Sequence, residues 1–252
     1  MFDNYPKSRP PLPDQIKKIY SVHYKSNREG QTTASSLAQK MESWLHRKVA
    51  GDVAHEKNTE KATLELGAGT LNQLQYEPTS PSYDIVEPFA DLYSSSPLLE
   101  RIRNVYSDIA EVPGDFRYDR ITSVATLEHI CNLPEVIARS GLLLSEQGVF
   151  RASIPSEGTF LWALGWKLTT GMEFRLRHGL DYAFLMKHEH VNTADEIEEA
   201  LDYFFDQVSC KVFGLSRSIS LYRYYECRNP IAERCHEFSS PHPKYWSSNS
   251  FD

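Results

Sequence analysis

Apolar and polar positions along this chain follow two periods, and the changes between them mark its elements. Over residues 33–53, TASSLAQKMESWLHRKVAGDV places Leu37, Met41, Trp44, Leu45 and Val49 at helical spacing, with Gly51 as a stop. The spacing predicts a helix packed on another layer, with His46 and Arg47 as surface or packing residues. After the polar linker AHEKNTEKA the period shortens. In TLELGAGT, Leu64 and Leu66 flank Glu65 and small, turn-forming residues follow, the pattern of a buried strand entering a glycine turn. Further short strands are predicted at 83–86, closed by Glu87, at 103–106, closed by Asp108, at 120–125 and at 149–154. With helical connections between them, five such strands predict a parallel sheet covered on both faces.

NLPEVIARSGLLL reads as a helix entered near Pro134 and closed near Gly141. Thr193 and Glu196 form a capping box ahead of ADEIEEALDYFF, whose apolar face is Ile197, Leu201 and Phe204 or Phe205. Between these two helices, residues 156–190 hold Trp162, Trp166, Phe174, Tyr182 and Phe184 with Arg175, Arg177 and His178, too aromatic for a solvent loop. This insertion is expected to fold over the mouth of the sheet. QVSCKVFG and SLYRYYECR read as a final hairpin joined by GLSRSI. The expected organisation is an irregular arm over 1–14, one domain over 15–228 that includes the lid at 156–190, and a polar tail over 229–252.

Composition narrows the function. There are 27 Lys and Arg against 34 Asp and Glu, a net charge of -7, which disfavours an extended nucleic-acid surface. Four cysteines without a CxxC pair speak against a zinc knuckle, and a reducing, cytoplasmic compartment is expected. The first residues carry charges and prolines where a signal peptide needs an apolar run. No window reaches the roughly 18 apolar residues of a membrane span, so no membrane partner is expected. The oligomeric state is not written in the pattern.

The chemical signal is Leu64-Glu65-Leu66-Gly67-Ala68-Gly69-Thr70. Gly67 and Gly69 allow a tight turn and close approach of a ligand to backbone amides. The continuation Thr70-Leu71-Asn72 lacks the Gly-Lys-Ser/Thr of a P-loop. Two classes stay open: a dinucleotide fold, weakened because Asn72 stands where the third small residue belongs, and a nucleoside-binding methyltransferase fold. Glu87, eighteen residues beyond Gly69, can accept from both ribose hydroxyls in either class. Asp108 is placed for an adenine amine, with Ile109 as an apolar face.

On these residues the chain resembles the class I S-adenosylmethionine-dependent methyltransferases of small-molecule type, over about residues 62–206, with the strands to Cys227 completing the sheet. The resemblance implies an α/β, Rossmann-like, seven-stranded, mostly parallel sheet with helices on both faces and strand order 3-2-1-4-5-7-6. It implies that Glu65, Gly67, Ala68 and Gly69 surround the methionine end of S-adenosyl-L-methionine, that Glu87 binds ribose, and that Asp108 and Ile109 bind adenine. Thr126-Leu127-Glu128-His129 resembles the segment passing beneath the cofactor into the substrate cavity, and His188-Glu189-His190-Val191-Asn192-Thr193 the segment leading into the next helix. Leu71, where the family commonly has a third glycine, should alter the first turn of the following helix.

Methyl transfer from a sulfonium is an in-line displacement that needs positioning and exclusion of water, and no metal. For a hydroxyl acceptor a base helps; His129 is the first candidate, His190 the second and His188 the third. The alternation His188, His190 invites metal ligation, but the sequence places no third ligand, so no metal is expected. Arg175 and Arg177 read as solvated side chains or, through their planar forks, as partners of a carboxylate or phosphate on the acceptor, Trp162, Trp166 and Tyr182 as an aromatic wall or packing, and Tyr20 and Tyr24 as residues able to close over the cofactor. The expected function is methylation of a small-molecule acceptor, on oxygen. The competing readings are a nicotinamide-dependent oxidoreductase and a noncatalytic cofactor-binding subunit.

Overall fold

The computed structural model describes residues 2–17, 19 and 35–239. Tyr20, Tyr24, the helix start at Thr33, the Leu37 side chain and the tail beyond residue 239 lie outside them. Seven strands form one sheet: β1 (Thr63–Leu66), β2 (Tyr83–Val86), β3 (Asn104–Tyr106), β4 (Tyr118–Val124), β5 (Leu144–Pro155), β6 (Phe205–Gly214) and β7 (Ser220–Pro230). Their order is β3-β2-β1-β4-β5-β7-β6, with β7 antiparallel to both neighbours and β1 to β5 parallel. The order reverses between β1 and β4, which opens a crevice at their carboxyl ends.

The helices are α1 (Ser35–Val49), α2 (Leu133–Leu143), α3 (Phe160–Trp166), α4 (Met172–His178), α5 (Ala183–Glu189), α6 (Ala194–Phe204) and α7 (Ala232–Phe238). Among the described residues, none is long and apolar enough to cross a membrane. The capping box at α6 forms, with Thr193 accepting from the Glu196 N–H and Glu196 accepting from the Thr193 N–H. Its Ile197, Leu201 and Phe204 are buried with Leu64, Leu66, Ile121, Phe150 and Ile154, so this face of the sheet is the apolar core. Each fully buried side chain of that size contributes roughly 1.5–3 kcal/mol.

The opposite face is built differently. Thr63, Glu65 and Tyr83 lie there, and Arg120, 1% exposed, donates to Glu77 at 2.7 and 3.0 Å, to Asp52 at 2.9 Å and to Thr63 at 3.1 Å. Arg151 joins Asp52 to Glu226 on β7. Buried guanidinium groups persist only when carboxylates and carbonyls satisfy them, as here. His46 packs in the same layer, 2.8 Å from Gln73 and stacked on Tyr76.

Two elements differ from the sequence pattern. α2 continues past Gly141 because that glycine is a contact surface: a Cβ there would lie 2.8 Å from the Cys235 Sγ on α7. The segment expected to be an irregular tail accordingly opens with α7, whose Cys235 is buried against α2. At the other end, residues 2–13 contain no helix or strand, yet Phe2 is buried, stacked on Phe204 and edge-on to Tyr203 and Phe238.

Candidate functional site

The crevice at the switch point has two halves. The first is the turn after β1. Gly67 and Gly69 adopt φ +70 and +51, the left-handed region that glycine enters without a Cβ penalty. The Gly67 N–H donates to the Val86 carbonyl at 2.8 Å, which ties the turn to the end of β2. A Cβ on Gly67 would sit 2.3 Å from the Thr126 side chain, so Thr126 lies directly over this glycine. Glu87, 4% exposed, points into the turn: Oε2 accepts from the Gly69 N–H at 2.7 Å and Oε1 from the Phe89 N–H at 3.0 Å. A carboxylate has about four acceptor positions, more than these two amides use.

Leu71 also has positive φ, +65, at a cost of about 1–2 kcal/mol. Burial among Ala68, Leu74, Tyr83 and Ile85 holds it there. Beyond it the chain makes only a 3-10 turn, Asn72–Gln75, which is how the leucine alters the start of the expected helix.

Glu65 is 2% exposed beneath the turn and accepts from the Tyr83 hydroxyl at 2.8 Å. Burial, reinforced by the charges of Glu77 and Glu87, pushes its pKa up to about 8 against the lowering effects of Tyr83 and Arg120. Asp108 caps the turn Ile109–Glu111 by accepting from the Ala110 N–H at 2.7 Å. Ile109 is 2% exposed in the main core. Ala68 is buried on the other face of the turn, with Leu71 and Leu74.

The second half begins two residues beyond Thr126. Glu128, 1% exposed, and His129 leave the end of β4, and His190 meets them from the end of α5. The rings of His129 and His190 are 4.8 Å apart, edge to face. His129 Nδ1 is 2.8 Å from the Glu189 carbonyl and His190 Nδ1 is 2.7 Å from Glu157 Oε2. Both oxygens only accept, so both Nδ1 atoms carry the proton and each neutral ring keeps its lone pair on Nε2. Burial pulls His190 toward neutrality, but the bond to Glu157 and the charges of Glu128, Glu157 and Glu189 outweigh it and raise its pKa. The Glu157 carboxyl is lowered in turn: burial opposes ionisation, and His190 and Trp162 overcome it.

Asn192, fully buried, locks this half together. Its amide donates to the carbonyls of Leu127 at 2.9 Å and Ile130 at 2.7 Å and accepts from the Tyr5 hydroxyl at 3.0 Å. The N-terminal arm straps across it: Lys7 donates to Val191 and Glu196, and Arg9 to the carbonyls of His188 and His129, each at 3.0 Å. Asn192, Tyr5, Lys7, Arg9 and Glu157 were not singled out from the sequence. The Asn192 of the HEHVN run adjoins a candidate histidine, and that adjacency was the available signal.

Other expected residues are placed elsewhere. His188 turns to the Pro10 carbonyl at 2.7 Å, so His188 and His190 do not face one point. Glu128 lies nearer to that point than His188 does: among the described residues one donor atom each of Glu128, His129 and His190 lies within 4.8 Å of the others. Trp162 stacks over His190 at 6.4 Å and donates to Glu157, whereas Trp166, Tyr182 and Phe174 pack on one another. Arg175 is exposed and Arg177 pairs with Glu173 one turn away. A surface cleft of about 760 Å³ lined by Asp195, Glu198, Arg217 and Arg223 contains none of the candidate residues.

No protein-family model and no curated protein matches the sequence. Solved structures do match in fold. The plantazolicin methyltransferase BpumL, solved with a desmethyl substrate analogue and SAH, has a TM-score of 0.55 and 16% identity; the match covers 85% of this chain and 96% of that one. A SAM-dependent methyltransferase from Thermotoga maritima, described as a possible histamine N-methyltransferase, has a TM-score of 0.51 and 10% identity over 84% and 97% of the two chains. DhpI, solved with SAM and HEP, has a TM-score of 0.50 and 12% identity over 86% and 100%.

Proposed function

We propose that this chain, which carries the fold of the class I S-adenosylmethionine-dependent methyltransferases, transfers a methyl group from S-adenosyl-L-methionine to a small-molecule acceptor, on oxygen. One observation carries the reading: the Gly67–Gly69 turn, with Glu87 buried in it, lies beneath Thr126, and the same chain segment runs on into the histidine pair.

The residues present fit the cofactor. The left-handed turn at Gly67 and Gly69 brings backbone amides to the end of β1, the Glu87 carboxylate at that turn is of the type that accepts ribose hydroxyls, and Glu65 is assigned to the methionine end. Asp108 and Ile109 border the adenine end. When bound, the cofactor would supply an electrophilic methyl group on a sulfonium whose leaving group is a neutral thioether. The turn and Glu87 would hold and orient it, and orientation is worth a large part of such a barrier. Trp162, stacked over His190, would shield that side from water. For a hydroxyl acceptor, Nε2 of His129 or His190 takes the proton. His190 is the better base because Glu157 holds its tautomer and stabilises the imidazolium that forms.

The antiparallel β7 between β5 and β6 favours this reading over a nicotinamide oxidoreductase, whose usual sheet is parallel in the order 3-2-1-4-5-6. Calorimetry with S-adenosylmethionine and with NAD, followed by product detection over an acceptor panel, tests it. Binding of the nicotinamide nucleotide alone would overturn methyl transfer. Binding of S-adenosylmethionine without turnover on any acceptor would leave a noncatalytic subunit.

A further inference from the structure

We propose that Glu128, His129 and His190 form a binding site for one divalent transition-metal ion of the zinc type, at the acceptor side of the crevice. Two imidazole nitrogens and one carboxylate are a recurrent three-ligand set of open zinc sites. Magnesium and calcium select oxygen ligands and fit this set poorly.

Four features of the geometry point to the ion. The three side chains come from two segments about sixty residues apart and converge, with one ligand atom each within 4.8 Å of the others and His129 Nε2 3.8 Å from Glu128 Oε1. Ligand atoms around a four-coordinate ion with bonds of about 2.0–2.2 Å lie about 3.4 Å apart, so inward rotation of about an ångström closes the set. Second, both rings offer the same atom. The Glu189 carbonyl engages Nδ1 of His129 and the Glu157 carboxylate Nδ1 of His190, which leaves Nε2 as the nitrogen through which each ring would ligate. A carboxylate on the far nitrogen of a ligating histidine is the usual outer support of such sites.

Third, the support is rigid. The Glu128 carbonyl accepts from the N–H groups of Val191 at 2.9 Å and Asn192 at 3.1 Å, and Asn192 fastens the same two segments with its side chain. Fourth, the surroundings are anionic. The carboxylates of Glu128, Glu157 and Glu189 lie beside the two rings, with Arg9 3.7 Å from Glu189, and such a field favours a cation there.

This inference goes beyond methyl transfer and does not depend on it, because the ion is held by the chain with or without the cofactor. With the ion bound, the Nε2 lone pairs are committed to it, so the two histidines hold the ion and no longer serve as proton acceptors; an acceptor hydroxyl is then activated by coordination to the ion instead.

The test is a titration of chelator-stripped protein with Co²⁺, read by visible absorption, with Zn²⁺ added in competition and no cofactor present. One equivalent should bind with the intense bands of a low-coordinate nitrogen and oxygen site and be displaced by one Zn²⁺. His190→Ala and Glu128→Gln should each weaken binding by at least about 100-fold, and Glu157→Gln by about 10–100-fold. His236→Ala, an exposed histidine on α7, should change nothing. A spectrum identical to that of the aqueous ion, or binding that survives in both His190→Ala and Glu128→Gln, overturns the site. Calorimetry with S-adenosylmethionine on the same stripped protein reads the cofactor half separately, so the two readings fail independently.

Discussion

The two halves of the crevice are made by opposite means. The half proposed for the cofactor is local: Glu65 to Leu71 and Val86 to Phe89 span the ends of adjacent parallel strands and the turns after them, and the contacts that shape it are backbone groups donating to a carbonyl or carboxylate. The half proposed for the acceptor is assembled across the chain. Tyr5 reaches Asn192 over a separation of 187 residues, and Lys7 reaches Val191 over 184. A half built from backbone tolerates side-chain change except where a glycine is sterically required. A half built from side chains fails piece by piece.

The sharpest way to break the first half is Gly67→Val. Its Cβ overlaps Thr126, and the left-handed φ adds about 1–3 kcal/mol of strain, so calorimetry should detect no S-adenosylmethionine binding. Adding Thr126→Gly removes the collision and should recover part of it; a wild-type heat in the single variant would contradict the geometry. His190→Ala probes the second half. Turnover should fall by about 10²–10⁴-fold with cofactor affinity unchanged, and a parallel loss of affinity would show that the halves are not separable. Asn192→Ala should cost about 2–4 kcal/mol in denaturant unfolding, because two carbonyls and the Tyr5 hydroxyl lose a buried partner.

The smallest effect is the pH response of Glu65. Its folded pKa, about 8, lies above the ordinary carboxylate value of 4.5, so the native state binds more protons between these values and stability falls as pH rises through that window. The slope is at most about 1.4 kcal/mol per pH unit. Glu65→Gln keeps an acceptor for Tyr83 and should flatten the profile; equal slopes in both proteins would mean that the carboxyl is already ionised below pH 8.

These contrasts also explain what the sequence could be made to say. Strand positions and the acids closing β2 and β3 follow from period and turn residues, which are local, and the whole strand order followed from the resemblance they support. Arg120 and Arg151 sit inside buried strands where an apolar run would be the usual sign, and only the distant Glu77, Asp52 and Glu226 make them tolerable. Glu157 carried no signal of its own, since its partner His190 is 33 positions away. Glu128 adjoins His129 in the sequence, but His190 joins the two only through the meeting of β4 and α5. The short tail helix α7 escaped notice because its reason for forming, the bare surface at Gly141, lies on another helix.

The strap formed by residues 2–13 ties a segment far away in sequence to the wall around the two histidines. A chain trimmed beyond Arg9 would retain all seven strands and the glycine turn. It would lose the Tyr5 hydroxyl on Asn192, the Lys7 ammonium on Val191, the guanidinium that grips the carbonyls of His129 and His188, and the Phe2 ring packed on Phe204. Such a protein should be less stable, and the clamp that sets the two histidines against each other should loosen while the glycine turn keeps its own hydrogen bonds.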